Sequence, residues 1–470
     1  MGVNLNATHK WGVLVAIGIG TFMTALDTSV VNTVLPVIGK NFNASIANVE
    51  WVITIYLLVL SGLLLSFGRL GDMRGHKTIY LLGFGIFMGG SFFSGAAPSV
   101  AMLIASRGLQ ALGAAMLSAN SPAILTKSFP AQQRGQALGL QATMTYLGLT
   151  AGPALGGWLA SLFGWRVVFY INLPVGLAAI WLSLHFIPGD ASQKRSEQFD
   201  YLGAVTFMLG LGSLLLGLNQ AGEWGWTSAP ILILLSSAFV FLSLFLYIEK
   251  HVKQPMLDLS LFKQLPFSMT TASAVFNYIG VYSSIFLMPY YLIQGRGFSS
   301  AQAGLILTAQ PVVMAVIAPI SGTLSDRIGT RIPAVFGMAV LSTGLFLVSR
   351  LSAESSIPMI MLALAVIGLG TGAFISPNNS ALMGSAPKSR QGIAAGILAT
   401  ARNFGMVLGV GIAGAIFTTV FAHGSSTLST PGNPIQNGAI FSALQMSFLA
   451  VSLITILGVI TGLVRVTKNS

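Results

Sequence analysis

Apolar stretches of about twenty residues succeed one another along almost the whole chain. They lie near residues 12–37, 50–69, 78–97, 99–124, 135–162, 166–187, 201–219, 230–249, 268–293, 301–321, 332–349, 357–382, 391–420 and 440–464. A stretch of that length crosses the hydrocarbon of a bilayer as a helix, because only a helix satisfies its own backbone there. The succession predicts an all-α polytopic membrane protein of about fourteen spans. The chain is 54% hydrophobic and only 7% charged, where soluble domains carry about 25% charged residues. The first span holds Asp27 and is too long for the apolar region of a signal peptide, so it is expected to be retained.

A net charge of +12 would by itself suggest a nucleic-acid partner. Its distribution argues against one. Of the 23 Lys and Arg, 17 fall in the segments on the N-terminal side of the bilayer. Four (Lys40, Arg166, Arg296, Arg350) fall on the other side, and Arg107 and Arg402 lie within spans. That bias puts both termini in the cytoplasm and calls for an even number of spans. With no cysteine, thiol nucleophiles, disulfides and cysteine metal sites are excluded. Five scattered histidines show no ligand spacing, and there is no GxxxxGK[ST] loop for ATP. Neither an enzyme, a metal centre nor a bound cofactor is therefore expected.

The chain repeats itself. Residues 68–77 read GRLGDMRGHK and residues 322–331 read GTLSDRIGTR. Each follows the second span of a six-span block. The expected organisation is a six-helix bundle over 1–187, a linker with two inserted helices over 188–250, and a second six-helix bundle over 251–470. The inserted pair is expected to pack peripherally. Parallel halves of this kind bind substrate at their interface, near the bilayer midplane. The repeated loop offers Gly68, Asp72, Arg74, Gly75 and Lys77, matched by Gly322, Asp326, Arg327, Gly329 and Arg331. A carboxylate between basic groups can accept from them or face a helix N-terminus. The alternative is a solvated turn whose basic residues only set topology.

The fifth span is unusual for a helix. It carries Gly139, Gly148, Gly152, Gly156 and Gly157 with Pro153. Gly148, Gly152 and Gly156 recur every four residues and line one face, where a second helix can approach closely. Pro153 removes a backbone donor and favours a bend.

Ten of the eleven acids lie in loops or at span ends, Glu50 among them; Asp27 alone is deep. A deep carboxylate is costly when charged and defaults to a functional reading. Low dielectric favours its protonated form, so Asp27 is a candidate proton carrier or cation contact. The alternative is a structural ion pair or hydrogen bond with a facing helix. Arg107, always charged, needs a partner or a watery cavity, and backbone carbonyls would serve as well as an acid. Structural pairing is the favoured reading for Arg402. Mid-span polar and aromatic residues that suit a pocket are Asn32, Tyr56, Gln110, Gln141, Tyr146, Asn277, Tyr278, Tyr282, Gln310, Asn378 and Asn379. Each has interhelical packing as its alternative. Tyr278 and Tyr282 share a helix face. The Gly/Ser/Pro-rich segment 423–438 is expected to be a connector.

Taken together, these motifs resemble the major facilitator superfamily, and within it the fourteen-span drug:proton antiporters, over nearly the whole chain. Residues 68–77 resemble that superfamily's loop signature. LIASRGLQALGAA (103–115) resembles its arginine-bearing fourth-helix motif, and Gly139, Gly148 and GPALGG (152–157) its antiporter motif. LDTSVVNTVLP (26–36), WRVVFYINLPVG (165–176) and FDYLG (199–203) are similar to the fourteen-span group. The second half lacks a counterpart of the fourth-helix arginine and of GPxxGG. The resemblance implies a monomeric proton-coupled exporter of small lipophilic compounds in a bacterial cell membrane, with the repeated loops latching the two halves. It also sets the first and fourth helices side by side, so that Arg107 and Asp27 can couple. The same fold could instead export an endogenous lipid, peptide or metabolite.

Overall fold

The computed structural model describes residues 7–130, 133–189, 200–252, 257, 259–385, 391–426 and 435–464, and they contain helices and no strand. The helices are α1 (Ala7–Phe42), α2 (Ile46–Arg74), α3 (His76–Gly95), α4 (Val100–Ser128), α5 (Arg134–Phe163), α6 (Val167–Tyr170), α7 (Asn172–Phe186), α8 (Tyr201–Trp224), α9 (Ala229–His251), α10 (Leu265–Pro289), α11 (Ser300–Leu307), α12 (Ala309–Ile328), α13 (Arg331–Val348), α14 (Ile357–Ser385), α15 (Gln391–Ser426) and α16 (Ile435–Val464). Each apolar stretch became one helix, except that α6–α7 and α11–α12 are spans broken at Ile171 and Thr308. A π-helical turn, Tyr290–Gly295, extends α10. Among the described residues, 13 helices are long and apolar enough to cross a membrane. At 30 residues, α5 matches them in length. The segments 190–199 and 427–434, expected as a linker and a connector, lie outside the described residues.

Helix ends follow local chemistry. Ser45 and Ser99 cap α2 and α4 by accepting from Asn48 N and Met102 N. Ser299 and Gln302 form a reciprocal capping box on α11. The corners α2–α3 and α12–α13 turn on Gly75 (φ 99°) and Gly329 (φ 83°), a region that disfavours any side chain.

In the first half α1 packs on α4, α5 and α7, α3 on α4, and α2 on α4. In the second, α10 packs on α14, α15 and α16, and α13 on α14 and α16. The glycines of α5 form the expected groove, and α1 fills it. A side chain at Gly148 would meet the backbone of Phe22, at Gly152 Ser29, and at Gly156 Val30. Ser29 Oγ donates to Leu149 O across the same contact, at 3.0 Å.

The halves meet through α5–α11, α2–α15 and α1–α10. At α5–α11, Gly157 abuts the backbone of Ser300 and Gly304 that of Pro153. All four residues lie toward the end opposite the basic end, which carries Lys10, Arg69, Arg74 and Lys77. Among the described residues α4 makes no comparable contact with α14 or α15. The molecule is therefore closed at the end where α2 begins and α5 finishes. The inserted pair is not wholly peripheral. Among the described residues α9 packs chiefly on α8, whereas α8 touches both α2 and α15 and covers the seam between the halves.

Candidate functional site

Two helices, α4 and α7, bring donors to Asp27, and α2 and α3 hold those donors in place. Arg107 Nη1 on α4 donates to Asp27 Oδ2 at 2.6 Å, with both side chains buried. Gln110 Nε2, one turn on, donates to Asp27 Oδ1 at 2.9 Å. Asn172 Nδ2, at the start of α7, donates to the same oxygen at 2.9 Å. Ser91 Oγ on α3 accepts from Gln110 at 2.7 Å and from Asn172 at 3.3 Å. Arg107 is held from further sides as well. Its Nη1 reaches Gln110 Oε1 at 2.6 Å, its Nε donates to Val52 O of α2 at 3.1 Å, and its Cζ lies 4.1 Å from the centre of the Tyr56 ring. A buried charge pair is tolerable only when its remaining donors and acceptors are met; here they nearly all are. The couple is direct and also uses a backbone carbonyl, so both sequence-level alternatives for Arg107 hold at once.

The aromatic candidates extend from this cluster toward the second half. Tyr56 lies near Tyr282 of α10, and Tyr278 and Tyr282 both lie near Arg402 of α15. Among the described residues no acid pairs with Arg402, and its Nε has no partner. The pairing expected for it is thus with tyrosine, not with a carboxylate. Gln141 donates to Thr21 Oγ1 at 3.3 Å, on α1.

Other candidates turn away from this path. Asn32 is buried, donating to Thr28 O of its own helix, with Oδ1 unpartnered. Asn277 faces Met338 of α13, Gln310 accepts from Ser284, and Asn378 donates to Thr270 O. These contacts tie helices of the second half together. Asn379 is half-buried on α14. The side chain of Tyr146 and the surroundings of Gly139 fall outside the described residues.

The repeated loops show a matched arrangement inside each half. Lys77 donates to Leu184 O and Ile187 O at the end of α7. Arg331 donates to Leu463 O at the end of α16. Each basic residue thus caps the last helix of its own half, where cations are favoured. Asp72 pairs with His76 at 3.2 Å, and His76 with Asn120 of α4 at 2.7 Å. The hydrogen bond from His76, helped by Lys127 and Arg69, holds the Asp72 carboxyl below its ordinary range. Gly68 lies against Ala119 and Gly322 against Ser376, again within one half. Arg74 ends α2, and Arg327 is exposed near the end of α12. The Asp326 side chain falls outside the described residues. The contacts described for these loops therefore brace each half and do not join the two.

Ser91 and Asn172 were missed from sequence, and Glu50 was read only as an acid at the outer end of its span. Asn172 had a signal, an amide within an apolar run; Ser91 had none. Glu50 was placed at a span end, yet it is 0% exposed.

Two helical halves that meet along one seam, with a buried ion pair inside the first, have the architecture of a membrane transporter. The sequence matches the Major Facilitator Superfamily over residues 17–275 and again over 270–469, and the chain belongs to that family. It is 35% identical over 415 residues to the riboflavin transporter RibZ of Clostridioides difficile (strain 630), covering 88% of this chain and 89% of that one. It is 32% identical over 404 residues to the multidrug resistance protein Stp of Mycobacterium tuberculosis, covering 86% and 75%. The fold matches the crystal structure of a bacterial homolog of the human lysosomal transporter Spinster, with a TM-score of 0.72 at 17% identity over 98% of both chains.

Proposed function

We propose that this multi-pass transporter exports small lipophilic compounds across the cell membrane in exchange for protons, by alternating access between its halves. The observation that carries the reading is the buried Asp27–Arg107 pair with its donors Gln110 and Asn172. A proton on Asp27 displaces the charge partner of Arg107. Arg107 can then rest on Gln110 Oε1, Val52 O and the Tyr56 ring. Proton and guanidinium thus compete for one carboxylate, which supplies the two discrete arrangements that coupling needs. Tyr56 and Tyr282 link this cluster to the interface, where a cargo would lie. The charge bias supports a cytoplasmic basic end.

The test is dye efflux in inverted vesicles under an imposed pH gradient. Wild-type protein should concentrate the dye only while the gradient lasts. Asp27→Asn should insert and bind dye yet fail to move it uphill. Full gradient-driven efflux by Asp27→Asn would reject the assignment. A second reading keeps the mechanism and changes the cargo, because a relative 35% identical is named a riboflavin transporter. Flavin and a cationic dye compared in the same vesicles separate the two.

A further inference from the structure

We propose that Glu50 is a second proton-binding site, one that locks the closed end of the transporter. Glu50 is the fifth residue of α2 and completely buried. Its carboxyl lies against Gly414 of α15, where any side chain would overlap both oxygens. Neither oxygen has a hydrogen-bond partner. Tyr290 of α10 is nearby, and its hydroxyl is likewise buried without a partner. Asn219 of α8 is the other polar neighbour. It accepts from Trp51 Nε1 at 2.7 Å and donates to Ala47 O at 3.1 Å, which leaves one amide N–H as the only donor on the Glu50 side from α8 among the described residues. The carboxyl is thus enclosed by α2, α8, α10 and α15, at the seam where the halves touch.

No cation faces it among the described residues. α10 presents only Tyr290. On α15 the ionisable groups are Arg402 and His423, about 18 and 13 Å along the axis from Gly414 at 1.5 Å per residue. α8 carries Glu223 one turn beyond Asn219, its side chain outside the described residues; it is an acid and cannot neutralise another. On α2 the nearest titratable group is Tyr56, six residues or about 9 Å along the axis at 1.5 Å per residue, and it is no cation. A carboxylate left bare here would carry an ion's burial penalty with nothing to offset it, whereas a neutral acid leaves only a hydroxyl to satisfy. Closure of α2 on α15 and α10 therefore goes with proton uptake. Separation admits water, and the proton leaves. Entering and leaving by the same end, it adds nothing to the protons carried across. It makes closure depend on the acidity of that side, by up to tenfold per pH unit.

The inference rests on the halves separating at this end, the alternating-access part of the proposed function, and not on proton exchange at Asp27. The test uses the full chain in lipid nanodiscs, with spin labels at Asn48→Cys and Ala422→Cys, unique because the chain has no cysteine. In the wild type, the population with separated labels should rise up to tenfold per pH unit above the site's midpoint. Glu50→Gln, which mimics the protonated acid, should stay closed at every pH, and Glu50→Asp should keep the slope. The infrared band of a protonated carboxylic acid, lost on opening, should be missing in Glu50→Gln and present in Asp27→Asn. Equal slopes in wild type and Glu50→Gln, or a flat wild type, would overturn the proposal. If Asp27→Asn keeps gradient-driven efflux while Glu50→Gln still abolishes the label titration, proton exchange at Asp27 fails and the lock at Glu50 stands.

Discussion

A charge inside a bilayer is defined by its partners. Asp27 draws donors from α4 and α7, and Ser91 of α3 accepts from two of them, Gln110 and Asn172. Asn172 is the donor whose sequence signal was passed over, and a charge-assisted hydrogen bond contributes about 1.5–3 kcal/mol. Asn172→Leu should lower the thermal stability of the purified protein and slow turnover. Asn172→Asp should do worse, since it sets a second carboxylate within hydrogen-bond distance of the first. A thermal shift and efflux rate for Asn172→Asp equal to those of wild type would refute this placement. Asp27 and Arg107 were legible because ionisable groups in apolar runs are conspicuous. Asn172 and Ser91 stood out less, because small polar residues occur in most spans. Glu50 misled, because an acid near the mouth of a span reads as exposed. Segments distant in sequence, on α8, α10 and α15, enclose it.

At the level of elements, α5 has two working faces. Gly148, Gly152 and Gly156 accept α1 within the first half, and the four-residue spacing announced that face. Gly157 instead meets the backbone of Ser300 on α11, in the other half. Leucine at the two kinds of position should have different effects. Gly156→Leu crowds Val30, and overpacking typically costs about 1–3 kcal/mol, so thermal stability should fall. Gly157→Leu meets main chain that cannot move aside, so the closed end should be forced apart at α5–α11. Labels across that seam should separate in Gly157→Leu and stay put in Gly156→Leu. The same response from both would show that the seam is not separately hinged. Which half each glycine served was hidden from sequence, because helical periodicity gives faces and not neighbours. The breaks at Ile171 and Thr308 had a signal that hydropathy does not register: each lies three residues before a proline, Pro174 and Pro311.

For the whole molecule, the open question is which half carries the inserted pair when the halves separate. The spans and the two-half repeat were legible from hydropathy and the paired loops, whereas the position of α8 across the seam depends on packing between distant segments. α8 packs on both sides. Apolar contact with α15 runs through Leu215 and Leu218 on Gly411. On the α2 side, Gly212 faces Leu58 and Gly62 faces Met208, and Asn219 makes two hydrogen bonds to Trp51 and Ala47. Trp226 gives a single exposed bond to Thr419 of α15, at 3.1 Å. Lipid tails replace an apolar helix contact at little cost, but they cannot replace a buried hydrogen bond. α8 should therefore travel with α2 and slide off α15. A chain without cysteine permits a clean test. A short thiol cross-linker joining Leu58→Cys to Gly212→Cys should leave efflux intact. One joining Leu215→Cys to Gly411→Cys should stop it, with recovery on cleavage of the linker. The reverse pattern would mean that packing area, not hydrogen bonding, decides which half holds the inserted helices.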